Sequence, residues 1–221
     1  MSRNKGTGSF SRKKRCLSPL QNSTSHLCRI SVLGSGKVRE KDPCYQQAVK
    51  LGTALAQEGF SVYHGGYRGV MEAVAKGCRL AGGYNVGVTM TKKGTGRFLG
   101  TGSFSQKKRC LSPFKKSACP LNAEIRMSSW KSRLFKLIEV GEAYVFLDGA
   151  TGTLAELFVV LEMTNRGLLK KPIIILGRKL GLFLRTLKKD PHFDLPRTLH
   201  FATSTSKAIK LLKRSGLQRK A

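Results

Sequence analysis

Residues 147–157 read Leu-Asp-Gly-Ala-Thr-Gly-Thr-Leu-Ala-Glu-Leu. They join an apolar run, 144–147, to a helix-forming stretch, 154–163, through a glycine-rich turn. Such a turn leaves unpaired backbone N–H groups and the positive end of a helix dipole facing one crevice, which suits a phosphate. Gly149, Thr151, Gly152 and Thr153 are its candidate ligands. Glu156 is expected on the first turn of the helix that follows. A carboxylate there relieves the dipole but opposes a bound anion. Two readings stay open: Glu156 serves the helix, or it acts on a substrate whose phosphate is held nearby.

Two further turns have the same strand-to-helix character. One is Gly34-Ser35-Gly36; the other is His64-Gly65-Gly66-Tyr67-Arg68-Gly69-Val70-Met71. Two phosphate-sized turns on neighbouring strands suit the two ends of a nucleoside monophosphate. A dinucleotide fits less well, because Arg39 stands where the third glycine of Gly-x-Gly-x-x-Gly would be and no ribose-binding carboxylate follows about 20 residues on. NAD is disfavoured, and no other cofactor is indicated.

These turns need a scaffold, and the apolar pattern supplies one. Strands are expected at 30–33, 60–63, 85–90, 143–147 and 172–176. Helices are expected at 43–58, with Asp42 as its cap, at 69–80, at 122–140, after Gly152, at 178–188 and at 206–213. Ile125, Leu134, Leu137 and Ile138 would share the buried side of the 122–140 helix. Strands alternating with helices predict an α/β fold: a single-domain, doubly wound, mostly parallel, Rossmann-like sheet of about five to seven strands. Ligands of such sheets sit beyond the carboxyl ends of the strands, where the three glycine turns gather.

The chain has 221 residues and a formal net charge of +29. The charge is uneven. Residues 1–29, 92–116 and 170–221 hold 29 of the 41 Lys and Arg, while the rest is nearly balanced. The expected organisation is a basic N-terminal segment 1–28, a nucleotide-binding domain 29–215 with a basic insert at 92–121, and a basic tail 216–221. Salt-sensitive, non-specific contact with nucleic acid through the basic segments is expected. A nucleic-acid-binding function driven by them is one alternative. No apolar run approaches the roughly 20 residues needed to span a bilayer, so no membrane partner is expected.

Cysteines 16, 28, 44, 78, 110 and 119 form no Cys-x-x-Cys pair and have no histidine at ligand spacing, so no metal site is expected and they read as reduced thiols. The location is read as cytoplasmic. The basic, serine-rich start leaves an organellar or nuclear address as alternative. Residues 6–19, GTGSFSRKKRCLSP, recur at 100–113 as GTGSFSQKKRCLSP, differing only at Arg12 against Gln106. Two copies 94 residues apart cannot form a solenoid. They read as a basic segment inserted twice, or as a paired localisation, RNA-tethering or phosphorylation tag around Ser18-Pro19 and Ser112-Pro113.

Together the motifs resemble the Lonely guy family of nucleotide 5′-monophosphate phosphoribohydrolases, often mislabelled lysine decarboxylases, and the related nucleosidases. The resemblance covers about residues 30–177 without the insert. The family's Pro-Gly-Gly-x-Gly-Thr-x-x-Glu falls on residues 148–156, keeping Gly149, Gly152, Thr153 and Glu156, with Asp148 for the proline and Ala150 for a glycine. Its Gly-Gly-x-x-Gly-x-Met falls on Gly65, Gly66, Gly69 and Met71, and its catalytic arginine on Arg133. The resemblance implies hydrolysis of the N-glycosidic bond of AMP or an N6-modified adenine nucleotide by Arg133 and Glu156. Gly34, Ser35, Gly65, Gly66, Gly69, Met71, Gly149, Thr151, Gly152 and Thr153 would hold the nucleotide, in a homodimer. His64 is read as a bystander, and Trp130 and Phe135 as packing residues, with a subunit contact as the alternative. Ala150 is expected to strain the turn if the backbone needs φ > 0 there, or to narrow the site where the backbone approaches a phosphate, and Asp148 to add an anion beside the phosphate. The runner-up is a non-catalytic nucleotide- or molybdenum-cofactor-binding protein of the same fold.

Overall fold

The computed structural model describes residues 28–91 and 121–217. The two copies of the repeat, Cys16, Cys110, Cys119, nearly all of the basic head and insert, and the end of the tail lie outside the described residues.

Among the described residues, seven parallel strands form one sheet, interleaved with six helices. The strands are β1 (Arg29–Leu33), β2 (Ser61–His64), β3 (Asn85–Met90), β4 (Ala123–Met127), β5 (Ala143–Phe146), β6 (Ile173–Ile175) and β7 (Leu199–Phe201). The helices are α1 (Pro43–Gln57), α2 (Val70–Leu80), α3 (Trp130–Val140), α4 (Thr151–Asn165), α5 (Arg178–Leu187) and α6 (Thr205–Arg214). The spatial order β4-β3-β2-β1-β5-β6-β7 reverses direction at β1, which pairs with β2 on one side and β5 on the other. That reversal opens a crevice beyond the carboxyl ends of β1 and β5.

Alternation along the strands sorts side chains to two cores. Ile30, Val32, Val145, Leu147 and Ile174 face α1, α2 and α6. Leu33, Tyr144, Phe146, Ile173 and Ile175 face α3, α4 and α5. Central strands are thus apolar on both faces, as parallel strands covered by helices must be. Helices α1 and α2 meet at glycines: a Cβ on Gly52 would collide with the Val74 carbonyl, and one on Gly77 with the Val49 carbonyl.

One expected element is corrected, one strand is added, and one cap works differently. The single helix expected over 122–140 is a strand, β4, followed by α3. Ile125 lies on β4 in register with Val88, not on a helix. The break falls at Ser129, whose hydroxyl accepts from the Ser132 N–H at 3.1 Å while Ser132 caps Ser129 in return, a reciprocal helix start. Strand β7 was not foreseen, since three residues carry too little alternation to register. Asp42 does stand at the N-cap of α1 but makes no capping bond; its carboxylate accepts from the Arg39 N–H at 2.6 Å instead. No helix among the described residues is long and apolar enough to cross a membrane.

Candidate active site

The turns after β1 and β5 are tied directly together: the Ser35 N–H donates to the Asp148 carbonyl at 3.0 Å. The turn after β2 joins them because the Val70 N–H, at the head of α2, donates to the Ser35 carbonyl at 2.9 Å. Gly69 makes that approach possible. Its φ is 72°, and a Cβ there would meet the Ser35 carbonyl. Met71 lies across the seam, its sulfur against Gly65 and its methyl beside Gly36, while Gly34 is packed under Val70. All three glycine turns therefore gather at one end of the sheet.

Helix α4 begins at Thr151, with Ala150 as its N-cap and no side chain capping it. Gly149, Thr151 and Gly152 are exposed at its head, Thr153 is buried against Gly149, and the space around Gly152 is open. The uncapped N-terminus is a place where backbone donors meet solvent or an anion. The strain expected from Ala150 is absent: its φ of −103° and ψ of −161° are extended backbone that alanine adopts freely. The Asp148 carboxylate does not stand loose beside the turn either. It accepts from the Leu180 N–H at 2.9 Å and so caps α5.

Arg133 points inward from α3 and is only 5% exposed. Its Nε donates to the Val88 carbonyl at 2.9 Å and its Nη2 to the Gly65 carbonyl at 3.0 Å, while the Tyr67 ring covers the guanidinium at 4.6 Å. The remaining Nη1 lies 3.8 Å from Oε1 of Glu156. Gly65 has to be glycine here, because a Cβ would occupy the place of Arg133 Nη2.

Glu156 sits on the second turn of α4 rather than the first, because the helix starts at Thr151. It shares a face with Gly152 and Thr153, with Gly152 about 6 Å along the axis. Its side chain is 14% exposed. Burial pushes its pKa up to about 7, and the Arg133 charge works in the opposite direction, holding it from rising further. The result is a nearly dry carboxylate that titrates around neutrality. It faces a fixed cation, one helical turn below an open anion cradle.

His64 is fully buried and serves the turn. Its Nδ1 accepts from the Gly66 N–H at 3.2 Å, which places the ring proton on Nε2, facing Asn85 Oδ1 at 3.5 Å. Burial lowers its pKa to about 4, with the Asn85 contact raising and the Arg133 charge lowering it. A neutral, enclosed imidazole is unsuited to act as a base on a ligand.

These two groups oppose each other in the pH dependence of stability. His64, depressed in the folded state, contributes stability present above pH 6.5 and lost as pH falls towards 4. Glu156, raised in the folded state, contributes stability present below pH 4.5 and lost as pH rises to about 7. Replacing Glu156 by Gln removes only the second contribution. The unfolding free energy of the variant, relative to the parent, is therefore expected to gain about 3 kcal/mol between pH 4.5 and 7. Urea unfolding of both proteins across that range tests this, and a constant difference would refute it.

The sequence singles out Arg133 and Glu156, which the structure brings within 3.8 Å of each other, but gives no sign of Tyr67 as the cover of the guanidinium or of the Val88 and Gly65 carbonyls as its anchors. Backbone acceptors leave no side-chain signal. Nor does the sequence mark the polar pair beside the Gly66 turn, where Thr89 Oγ1 donates to Glu124 Oε1 at 2.7 Å and the Thr89 methyl packs against Gly66.

Comparison with known proteins agrees with this architecture. The chain is 28% identical over 156 residues to an uncharacterized protein of Archaeoglobus fulgidus, covering 69% of this chain and 87% of that one. It is 29% identical over 156 residues to the cytokinin riboside 5′-monophosphate phosphoribohydrolase LOG of Oryza sativa subsp. japonica, covering 69% of this chain and 56% of the relative. Among solved structures, the molybdenum cofactor binding protein of Rippkaea orientalis superposes with a TM-score of 0.61 at 19% identity, over 87% of this chain and 99% of that one, a likeness of fold. The model of the SLOG cluster4 family matches residues 27–209, most of the chain, and the protein belongs to that family.

Proposed function

We propose that the protein hydrolyses the N-glycosidic bond of a nucleoside 5′-monophosphate, AMP or an N6-modified adenine nucleotide, to the free base and ribose 5-phosphate. The observation that carries this reading is the desolvated Glu156 carboxylate, 3.8 Å from Arg133 and one turn below the uncapped head of α4. The activity named for the Oryza relative supports the same substrate class.

In this reaction the bond between ribose C1′ and the base nitrogen breaks, its electron pair leaves with the base, and positive charge develops on C1′ and the ring oxygen. Water forms the new C1′–O bond, and one of its protons ends on the departed base. A carboxylate in a dry site stabilises the developing cation more than the neutral ground state, which is what lowers a barrier. Glycosidases use carboxylates for the same reason. The backbone donors of Gly149, Thr151, Gly152 and Thr153 would take the phosphate. Gly34, Ser35, Gly65, Gly66, Gly69 and Met71 would line the nucleotide side. Arg133 fixes the carboxylate and keeps part of it ionised near pH 7.

The reading extends to a homodimer. Trp130 and Phe135 on α3 are 48% and 43% exposed, and Leu154, Phe158, Val159 and Met163 on α4 are only partly covered. A helix apolar on several sides is normally enclosed.

The test is to incubate the protein with a panel of nucleoside monophosphates and assay free base and ribose 5-phosphate. Release from an adenine monophosphate, but not from the nucleoside lacking phosphate, is expected. A thermal shift with AMP and no product would replace the enzyme by a binding protein.

A further inference from the structure

The edge of the sheet formed by β7 carries charge that neither the fold nor the proposed reaction uses. Residues 170–217 hold twelve Lys and Arg against two acids, Asp190 and Asp194, whereas the rest of the described chain is close to balance. The imbalance is concentrated on α5 and α6 and on the loop leading into β7. Lys188 and Lys189 follow α5, Arg197 precedes β7, Lys207 and Lys210 lie on α6, and all five are exposed. Of the cations in this region only Lys213 forms an ion pair with a carboxylate among the described residues, with Glu58.

Helix stability does not account for this. Lys207 lies in the first turn of α6, which contains no acid. Cations at a helix N-terminus oppose the macrodipole, so their placement is unfavourable within the isolated chain. Concentrated like charge also repels itself. Both terms turn favourable when a polyanion is bound.

The topology fixes the shape of the surface. Helix α6 packs in the core on one sheet face and α5 in the core on the other, so their cations form two rows flanking the β7 edge. Helix diameters place those rows about 20 Å apart. A double-stranded nucleic acid presents two phosphate strands across a groove and can engage both.

We propose that the β7 edge, flanked by α5 and α6, is a docking surface for the sugar-phosphate backbone of a nucleic-acid duplex, bound without sequence preference. Base edges are not needed, since phosphate contacts position and neutralise but do not specify. The proposal does not depend on turnover in the glycine-turn crevice.

The test uses the full chain, a fluorescent random-sequence 20-base-pair DNA duplex and anisotropy titrations over a range of salt concentrations. Two variants, Lys188→Gln with Lys189→Gln and Lys207→Gln with Lys210→Gln, neutralise the rows separately. Each is expected to weaken binding roughly tenfold near 100 mM salt and to make the logarithmic salt slope shallower by about 1 to 2, with an unchanged melting temperature. Binding changed less than twofold in both variants would place the contact elsewhere in the chain and overturn the proposal. So would the absence of duplex binding by the parent, or row-dependent binding to phosphatidylserine vesicles without duplex binding.

Discussion

Glu156→Gln is expected to lower the rate of base release by about a thousandfold while changing AMP affinity by no more than a few-fold. The amide keeps the volume of the carboxylate and its place one turn below the head of α4 but cannot carry negative charge. The substrate's phosphate would be held by the exposed turn at Gly149–Thr153, which the substitution does not touch. Interactions made only in the transition state affect kcat rather than binding, and removing one charged partner at a reacting centre has effects of this size. Single-turnover assays with AMP, paired with calorimetric titration, measure both quantities. Equal loss of binding and turnover would make Glu156 a structural residue of the helix.

Gly65→Ala is expected to reduce base release by about a hundredfold or more, through Arg133. The added methyl falls on Arg133 Nη2 and against the Met71 sulfur, at the end of a guanidinium pinned to two backbone carbonyls and covered by Tyr67. The arginine has to move, and a displacement of about 1 Å at a positioned group can cost about a hundredfold in rate. Glu156 would then lose the cation that restrains its pKa, so the activity remaining in the variant should require a higher pH than in the parent. Kinetics at pH 7 and 9 on the folded variant check this. Parental activity at both pH values would show that Arg133 is not held where the close approach of Gly65 requires it.

The parts of this site that were legible in the sequence are those where geometry demands a residue type. Gly65, Gly66, Gly69 and Gly149 mark backbone close to backbone or to a side chain, and the apolar runs beside them mark strands buried on both faces. Arg133 and Glu156 could be matched to a family pattern, but their contact could not be foreseen, because it joins α3 to α4 through the fold. Its anchors on Val88 and Gly65 are carbonyl groups every residue has. The misplacement of Ile125 came from reading one helical period through Ser128-Ser129, although serine is a common helix start. The concern over Ala150 came from assuming a positive φ that the backbone does not adopt. The cap that Asp148 forms on α5 was not legible, because its partner, the Leu180 N–H, lies 32 residues further along.

On the proposed reading, base release requires an ionised, desolvated Glu156 beside Arg133, and the pH profile of kcat/KM for base release tests this most directly. With burial holding the pKa near 7, activity is expected to rise about tenfold per pH unit from pH 5 and to level off above about 7, with that limb absent from Glu156→Gln. A profile that is flat from pH 5 to 9, or one that climbs on acidification, would contradict it.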